Sequence, residues 1–420
     1  MELRTNWSES GTDIKELSRV IDELDENTHV VKVTSADIDL YSFKELTSTG
    51  YARFYSLNET SINKLEEGTG LKMIKGKVSS FNYRLLNEMS DTTNLLMSLK
   101  TEDGYKIMTV SDKAMYTLLQ RASLGGEASI NMNTLTRNLF LADALRHKCY
   151  DMSLVYRTIW DFNMKKYVSV VFAVMGSRYE RIPQKLILDT VKNLENGKGA
   201  ECLRWQVDHE YTNVTLIFPR LRDKLAELYH LKDEIMPAII LYTSDVGLAC
   251  FYAEAGYFIG DNSFVVTGNN KRRHIGKINE KVLVEDIEDK LLADVRKLPE
   301  TLAYLANIKV SDPIALIKAI WRGCLTCIPG FVKKNLPVKK SMIEEAETLH
   351  DLTGYDIAMM FMTLQERLIG LNDASMHKLR CTCSEIPYKI KRLLDKEDFY
   401  EDETPLTLTP LFALTQEDAI

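Results

Sequence analysis

Apolar residues at Ile14, Leu17, Ile21 and Leu24 are spaced by three and four, which gathers them on one face of a helix. Asp13, just ahead of them, can cap its first turn. The period then shortens. "HVVKVT" and "YARFYSL" read as strands, and Ser61 to Gly68 reads as a short helix. "NLLMSLKTEDGYKIMTV" is the clearest hairpin, with two apolar strands meeting through Asp103-Gly104, a dipeptide that tolerates positive φ. Helical spacing returns over Asp112–Ala122 and Thr134–His147, and strands follow at "MSLVYRTIWDF" and "KKYVSVVFAVM". A helix is expected from Pro183 to Gly197, a strand pair over "ECLRWQVDHEYTNVTLIFP", a helix over Arg220–His230, and a three-strand meander over Ala238–Thr267. Beyond Glu280 the alternation fades. Leu283, Ile287, Leu291, Val295 and Leu298 keep helical spacing, as do "IALIKAIW", "MIEEAETLH" and "DIAMMFMTLQERLIGL".

The expected fold class is α+β, a mainly antiparallel sheet core with interspersed helices and a C-terminal helical region. Short turns between strands argue for antiparallel pairing, because parallel pairs need long crossovers. The chain divides into an acidic N-terminal helix (1–27), an α+β core (28–280), a helical region (281–394) and an acidic C-terminal tail (395–420).

Charge sharpens that division. The net charge of the 420 residues is −7. Residues 395–420 hold eight carboxylates and one lysine, and residues 1–27 hold eight acids against three bases. Without these ends, residues 28–394 stand at +5. A mildly basic body is thus flanked by two acidic ends. Seven cysteines without a paired framework point to a reducing compartment. No apolar run reaches membrane-spanning length, and the start lacks the pattern of a secretion signal. A cytoplasmic protein is expected, in the host cell if the gene belongs to a phage.

Motifs for chemistry are sparse. There is no phosphate loop, His-Glu-x-x-His, Gly-x-Ser-x-Gly elbow or dinucleotide fingerprint. In "VDHEYT", strand alternation would place Asp208 and Glu210 on one face, about 7 Å apart. A divalent metal could bridge them, which would make the chain a metal-dependent enzyme. A solvated polar face is the plainer reading. Cys324 and Cys327, with His377, Cys381 and Cys383, supply enough sulfur and nitrogen for zinc. The first pair lies inside an apolar run and the second has a single intervening residue, so these cysteines are read as buried thiols. No catalytic residue, cofactor or metal ligand is assigned.

The sharpest charge feature is "GNNKRRHIGK", where Lys271, Arg272, Arg273 and His274 stand together, with Lys277 close by. Solvated residues at a hairpin tip would explain them. Phosphate contact would also explain them, since arginine forks grip phosphate oxygens two at a time. Phe251, Tyr252, Tyr257, Phe258 and Phe264 lie nearby and could stack on bases, although alternation assigns most of them to the core. Lys333, Lys334, Lys339 and Lys340 around Pro337 read as a solvated linker. The tail is rich in carboxylates yet carries Leu406, Leu408, Leu411, Phe412 and Leu414, which an isolated tail cannot bury. Its layout is similar to the acidic tails of phage and bacterial single-strand DNA-binding proteins. In those, the tail competes with nucleic acid for the basic groove and recruits partners. Leu411 and Phe412 are the expected partner contacts.

"IILYTSDVGLACFYAEAGYFI" resembles a segment of a phage/plasmid-like protein family of unassigned function. The matching turn is Thr243, Ser244, Asp245, Val246 and Gly247, and Asn262-Ser263 stands where the family has Asn-Gly. The resemblance covers roughly residues 90–300. It implies a mobile-element origin, with a bacteriophage as the expected source, and carries no catalytic residue with it. From the residues alone, Ser244 and Asp245 can bond turn amides, and Gly247 permits a backbone angle that others avoid. The expected function is non-catalytic binding or annealing of single-stranded nucleic acid in phage recombination or replication, by a homo-oligomer. A phage structural or host-interaction protein with a partner-binding tail is the alternative.

Overall fold

The computed structural model describes residues 7–46, 51–56, 77–79, 93–102, 104–126, 129, 131–147, 150–161, 166–247, 250–260, 263–272, 296–328, 330–368 and 373–395. It begins with β1 (Ser8–Gly11), α1 (Ile14–Asn27), β2 (Thr28–Thr34), β3 (Ile38–Leu46), β4 (Tyr51–Ser56) and β5 (Lys77–Ser79). The hairpin β6 (Leu95–Thr101) and β7 (Gly104–Val110) precedes α2 (Asp112–Arg121) and α3 (Thr134–His147). Then come β8 (Asp151–Asp161), β9 (Lys166–Gly176), α4 (Lys185–Lys198), β10 (Glu201–Asp208), β11 (Thr212–Ile217) and α5 (Pro219–Tyr229). The meander is β12 (Ile235–Thr243), β13 (Phe251–Ile259) and β14 (Ser263–Arg272). From Lys297 the regular elements described are helical: α6 (Lys297–Ala306), α7 (Pro313–Gly323), α8 (Phe331–Lys334), α9 (Leu336–Thr348), α10 (Gly354–Met362) and α11 (Asp373–Asp395).

The strands form two sheets, one of eight in the order β2-β8-β9-β7-β6-β3-β4-β5 and one of six in the order β1-β10-β11-β12-β13-β14. Pairing is antiparallel except between β7 and β9, which run parallel. That exception follows from α2 and α3, which lie between β7 and the β8–β9 hairpin and allow the chain to cross over. The fold is α+β, as the alternation predicts.

The layers follow from which faces are apolar. Leu17, Val20, Ile21 and Leu24 of α1 are buried with Leu186, Ile187, Val191 and Leu194 of α4, with Val155 and Phe172 of the large sheet, and with Val214, Leu241 and Ala253 of the small one. The cap is the expected one: the Lys15 amide donates to Asp13 at 2.8 Å. Against the other face of the large sheet, α2 and α3 bury Met115, Leu118, Leu141 and Leu145. The C-terminal helices enclose a third apolar cluster around Trp321, Phe361 and Ile386, which reaches Tyr257 and Val265 of the small sheet.

Several local expectations shift. Helix α4 continues past Gly197 and stops at Gly199, whose φ of 68° is left-handed. The lysines around Pro337 are helical: Pro337 sits in the first turn of α9, where its missing N–H costs nothing. Lys340 pairs with Glu344 one turn on, at 3.4 Å. The helix expected at 61–68 lies outside the described residues.

Candidate nucleic-acid interface

The small sheet has one face turned to the shared core and one turned away. In register across it, Gln206 faces Asn213, Asn213 faces Tyr242, Tyr242 faces Tyr252, and Tyr252 faces Lys271. Alternation explains the row. On β12, Ile239 and Leu241 turn inward and are fully buried, so Ile240 and Tyr242 fall on the outer face. On β13, Phe251, Ala253 and Ala255 are buried and Tyr252 and Glu254 fall outward. Tyr242 and Tyr252 are half-buried, and Arg204 and Gln206 are exposed. Tyr211, in the turn before β11, stacks on Tyr242 with ring centres 5.2 Å apart. The Lys113 ammonium lies 5.6 Å from the Tyr211 ring centre. Strand spacing of about 4.8 Å places the two tyrosines of the row side by side.

Helix α11 covers the other half of this face. There Ala238, Phe264 and Val266 are buried, with Ile240, Phe258 and Cys381 packed on them. Gln365, in the turn after α10, donates to the Phe264 carbonyl at 3.1 Å. The Tyr242–Tyr252 half of the outer face carries polar and aromatic side chains.

Lys271 and Arg272 are the last residues of β14, paired with Tyr252 and Phe251. They close a strand instead of forming the hairpin tip, which lies at the opposite end, next to Gly260. Arg273, His274 and Lys277 lie outside the described residues, as do Leu411 and Phe412 of the tail. Of the five aromatics named near the basic stretch, Phe251, Tyr257 and Phe264 are buried in the core. Phe258 packs under α11, and Tyr252 remains on the outer face. Tyr242 and Tyr211 escaped the sequence reading. Their signal was the alternation of "AIILYT", which already turned Tyr242 away from the core.

The turn after β12 also anchors a cluster of charges between the sheets. Asp245 is buried, and its carboxylate accepts Arg181 at 2.8 and 3.1 Å and Gln184 at 2.8 Å. Its carbonyl accepts the Tyr179 hydroxyl at 2.5 Å. Arg181 also grips Asp25 at the end of α1. Arg157 of β8 is buried, donates to Thr28 at 2.9 Å and to the His209 carbonyl, and stands 3.9 Å from Asp245. Burial pulls the Arg157 pKa down to about 10, against the pull of Asp245. Burial likewise raises the Asp25 pKa, and the Arg181 charge opposes the rise. Two cations meet two anions here, so the cluster is a neutral clamp between the sheets. Gly247 has a φ of 75°, in the left-handed region that its sequence position anticipated.

Asp208 and Glu210 do not share a strand face. Strand β10 ends at Asp208, which accepts the amides of Glu210 and Tyr211 at 2.7 and 2.8 Å, an Asx turn. Glu210 is paired with Lys113. Among the described residues no group of three or more His, Cys, Asp or Glu is arranged to hold a metal. Cys324 and Cys383 are buried, and Cys327 and Cys381 are half-buried. Burial pushes the Cys324 thiol up to about 12 and that of Cys383 higher still.

Compared with known proteins, the chain matches no family model, no curated protein and no solved structure. Among the described residues no helix is long and apolar enough to cross a membrane.

Proposed function

We propose that the protein binds single-stranded nucleic acid, without catalysis, and serves annealing in the recombination or replication of a phage or related mobile element. One observation carries this reading: the side-by-side register of Tyr242 and Tyr252 on the outer face, continuing in register to Lys271. Every base has a π-face, so tyrosines on adjacent strands can stack successive bases without reading sequence. Cations at the end of the row neutralise the phosphates that connect those bases. Tyr211 on Tyr242, with Lys113 close by, extends the platform toward α2. Arg273, His274 and Lys277 follow directly on β14 in sequence and are assigned to the same phosphate track.

In this reading the acidic tail competes with nucleic acid for the track, Leu411 and Phe412 serve a protein partner, and copies of the chain assemble along the strand in the cytoplasm. The test is oligonucleotide binding by the full chain and by a chain ending at Asp395. Asp395 is kept because it accepts the Tyr304 hydroxyl at 2.6 Å. Removing the tail should tighten binding. Affinity should fall with salt at a log–log slope of about −0.7 per phosphate neutralised. Failure of both forms to retain an oligonucleotide at low salt would end the proposal.

A further inference from the structure

Where α11 lies over the small sheet, three side chains from two elements line up. His377 and Cys381 are one turn apart on α11 and so project from the same side of the helix. Glu254 reaches them from β13. The His377 Nδ1 stands 2.9 Å from a Glu254 carboxylate oxygen, and its Nε2 stands 3.8 Å from Cys381 Sγ. A carboxylate thus orients an imidazole, and the imidazole addresses a thiol. The same order of parts activates thiol nucleophiles elsewhere. The His377 side chain is 42% exposed and Glu254 14%, so the imidazole meets solvent while the acid that orients it is sheltered.

We propose that Cys381, His377 and Glu254 form a thiol–imidazole–carboxylate site that reacts with low-molecular-weight disulfides. The sulfur of Cys381 attacks one sulfur of R–S–S–R′ and a new S–S bond joins Cys381 to R. The old S–S bond breaks, and the departing R′S⁻ takes the proton that His377 Nε2 shares with the Cys381 sulfur. Cys381 is oxidised, the R′ half is reduced to a thiol, and His377 is left neutral. The contacts with Cys381 and with Glu254 hold the imidazole pKa up to about 10, so the cation persists at neutral pH.

Among the described cysteines, the surroundings single out this sulfur. Cys383, two residues on, turns into the core, and Cys324 is buried too. Cys202 has its thiol pushed up to about 11 by burial. Lys378, next to His377, is engaged with the Cys327 carbonyl at 2.6 Å, and Arg380 reaches Gln365 at 3.4 Å. Glu366, in the turn that packs on α11, is bound by Ser263 at 2.7 Å. Among the described residues, Glu254 and Cys381 are the ionisable groups bonded to His377. This site does not depend on the nucleic-acid reading and survives its failure.

The test treats the full native chain at pH 6 with 4,4′-dithiodipyridine and follows each cysteine by peptide mass spectrometry. Cys381 should be modified first, about tenfold faster or more than half-buried Cys250 and Cys327, because the His377 imidazole stands 3.8 Å from its sulfur and a neighbouring cationic imidazole activates a thiol. Its rate should stay level between pH 6 and 8, where an unpaired thiol gains about tenfold per pH unit. Glu254→Gln and His377→Ala should each slow it at pH 6 and restore the ordinary pH slope. Protection of Cys324 and Cys383 in the same digests reports that each variant is folded. If a variant loses that protection, the level wild-type pH profile decides. Reaction of Cys381 no faster than Cys327, or a profile with the ordinary slope, overturns the proposal.

Discussion

Arg157 and Asp245 face each other at 3.9 Å inside the protein, the guanidinium from a central strand of the large sheet and the carboxylate from just past the end of a strand of the small one. Neither has appreciable contact with solvent. Asp245 is the meeting point, since Arg181 and Gln184 converge on it as well. The relation fixes how the sheets sit on α1 and α4, and through them where the tyrosine row lies.

Removing one partner should therefore leave a buried charge without its counter-ion. Asp245→Ala should cost about 3–5 kcal/mol, the usual penalty for breaking a buried pair. Urea unfolding of the variant beside the native chain measures it. A loss under 1 kcal/mol would mean that water reaches the cluster.

Backbone crowding gives a second prediction. A Cβ on Gly256 would fall 2.9 Å from the Val265 carbonyl carbon and closer still to its oxygen, beside the irregularity at which β14 shifts register. Gly256→Ala should destabilise by about 1–3 kcal/mol, as overpacking does. Gly197→Ala meets nothing within 4 Å and sits in the last turn of α4. It should stabilise by up to about 1 kcal/mol. Thermal melts of the two variants should move in opposite directions.

Stability should depend on alkaline pH through His377. Its pKa is raised to about 10 by Cys381 and Glu254, above the 6.5 of a free imidazole. The folded state therefore holds the proton more tightly than the unfolded chain. The stabilisation is complete below pH 6.5 and disappears as pH rises through about 10. Denaturation midpoints taken from pH 6 to 10 should fall, and Glu254→Gln should flatten the fall.

The tyrosine row predicts additive losses of a particular kind. Tyr242→Ala and Tyr252→Ala should each weaken oligonucleotide binding by about 1–3 kcal/mol and leave the salt slope unchanged. Lys271→Ala should reduce the slope by about 0.7. Fluorescence anisotropy over a salt series separates the two kinds of loss.

The sequence exposed those elements whose cause is local. Helix α1 has its cap and its apolar stripe within fourteen residues, and the β6–β7 hairpin has its turn dipeptide. Other elements have distant causes. Strand β1, "SESG", carries no apolar alternation and exists because β10 pairs with it, with the Trp205 indole donating to the Asp13 carbonyl at 3.0 Å. Helix α11 lies within the expected helical region, but its start and extent were hidden by the polar and cysteine-rich "HKLRCTCSEIPYK" and by Pro387 within it. The clamp joins residues 25, 157, 181 and 245, which no spacing rule connects. The tyrosine row was half legible: alternation turned Tyr242 and Tyr252 outward, but only strand register shows them side by side and in line with Lys271.

Photo-crosslinking a single-stranded oligonucleotide to the full chain, followed by peptide mapping, tests the interface most directly. The account predicts adducts on the peptides holding Tyr242, Tyr252 and Lys271–Arg272, lost at high salt. Adducts confined to the large sheet or to the C-terminal helices, or none at all at low salt, would contradict it.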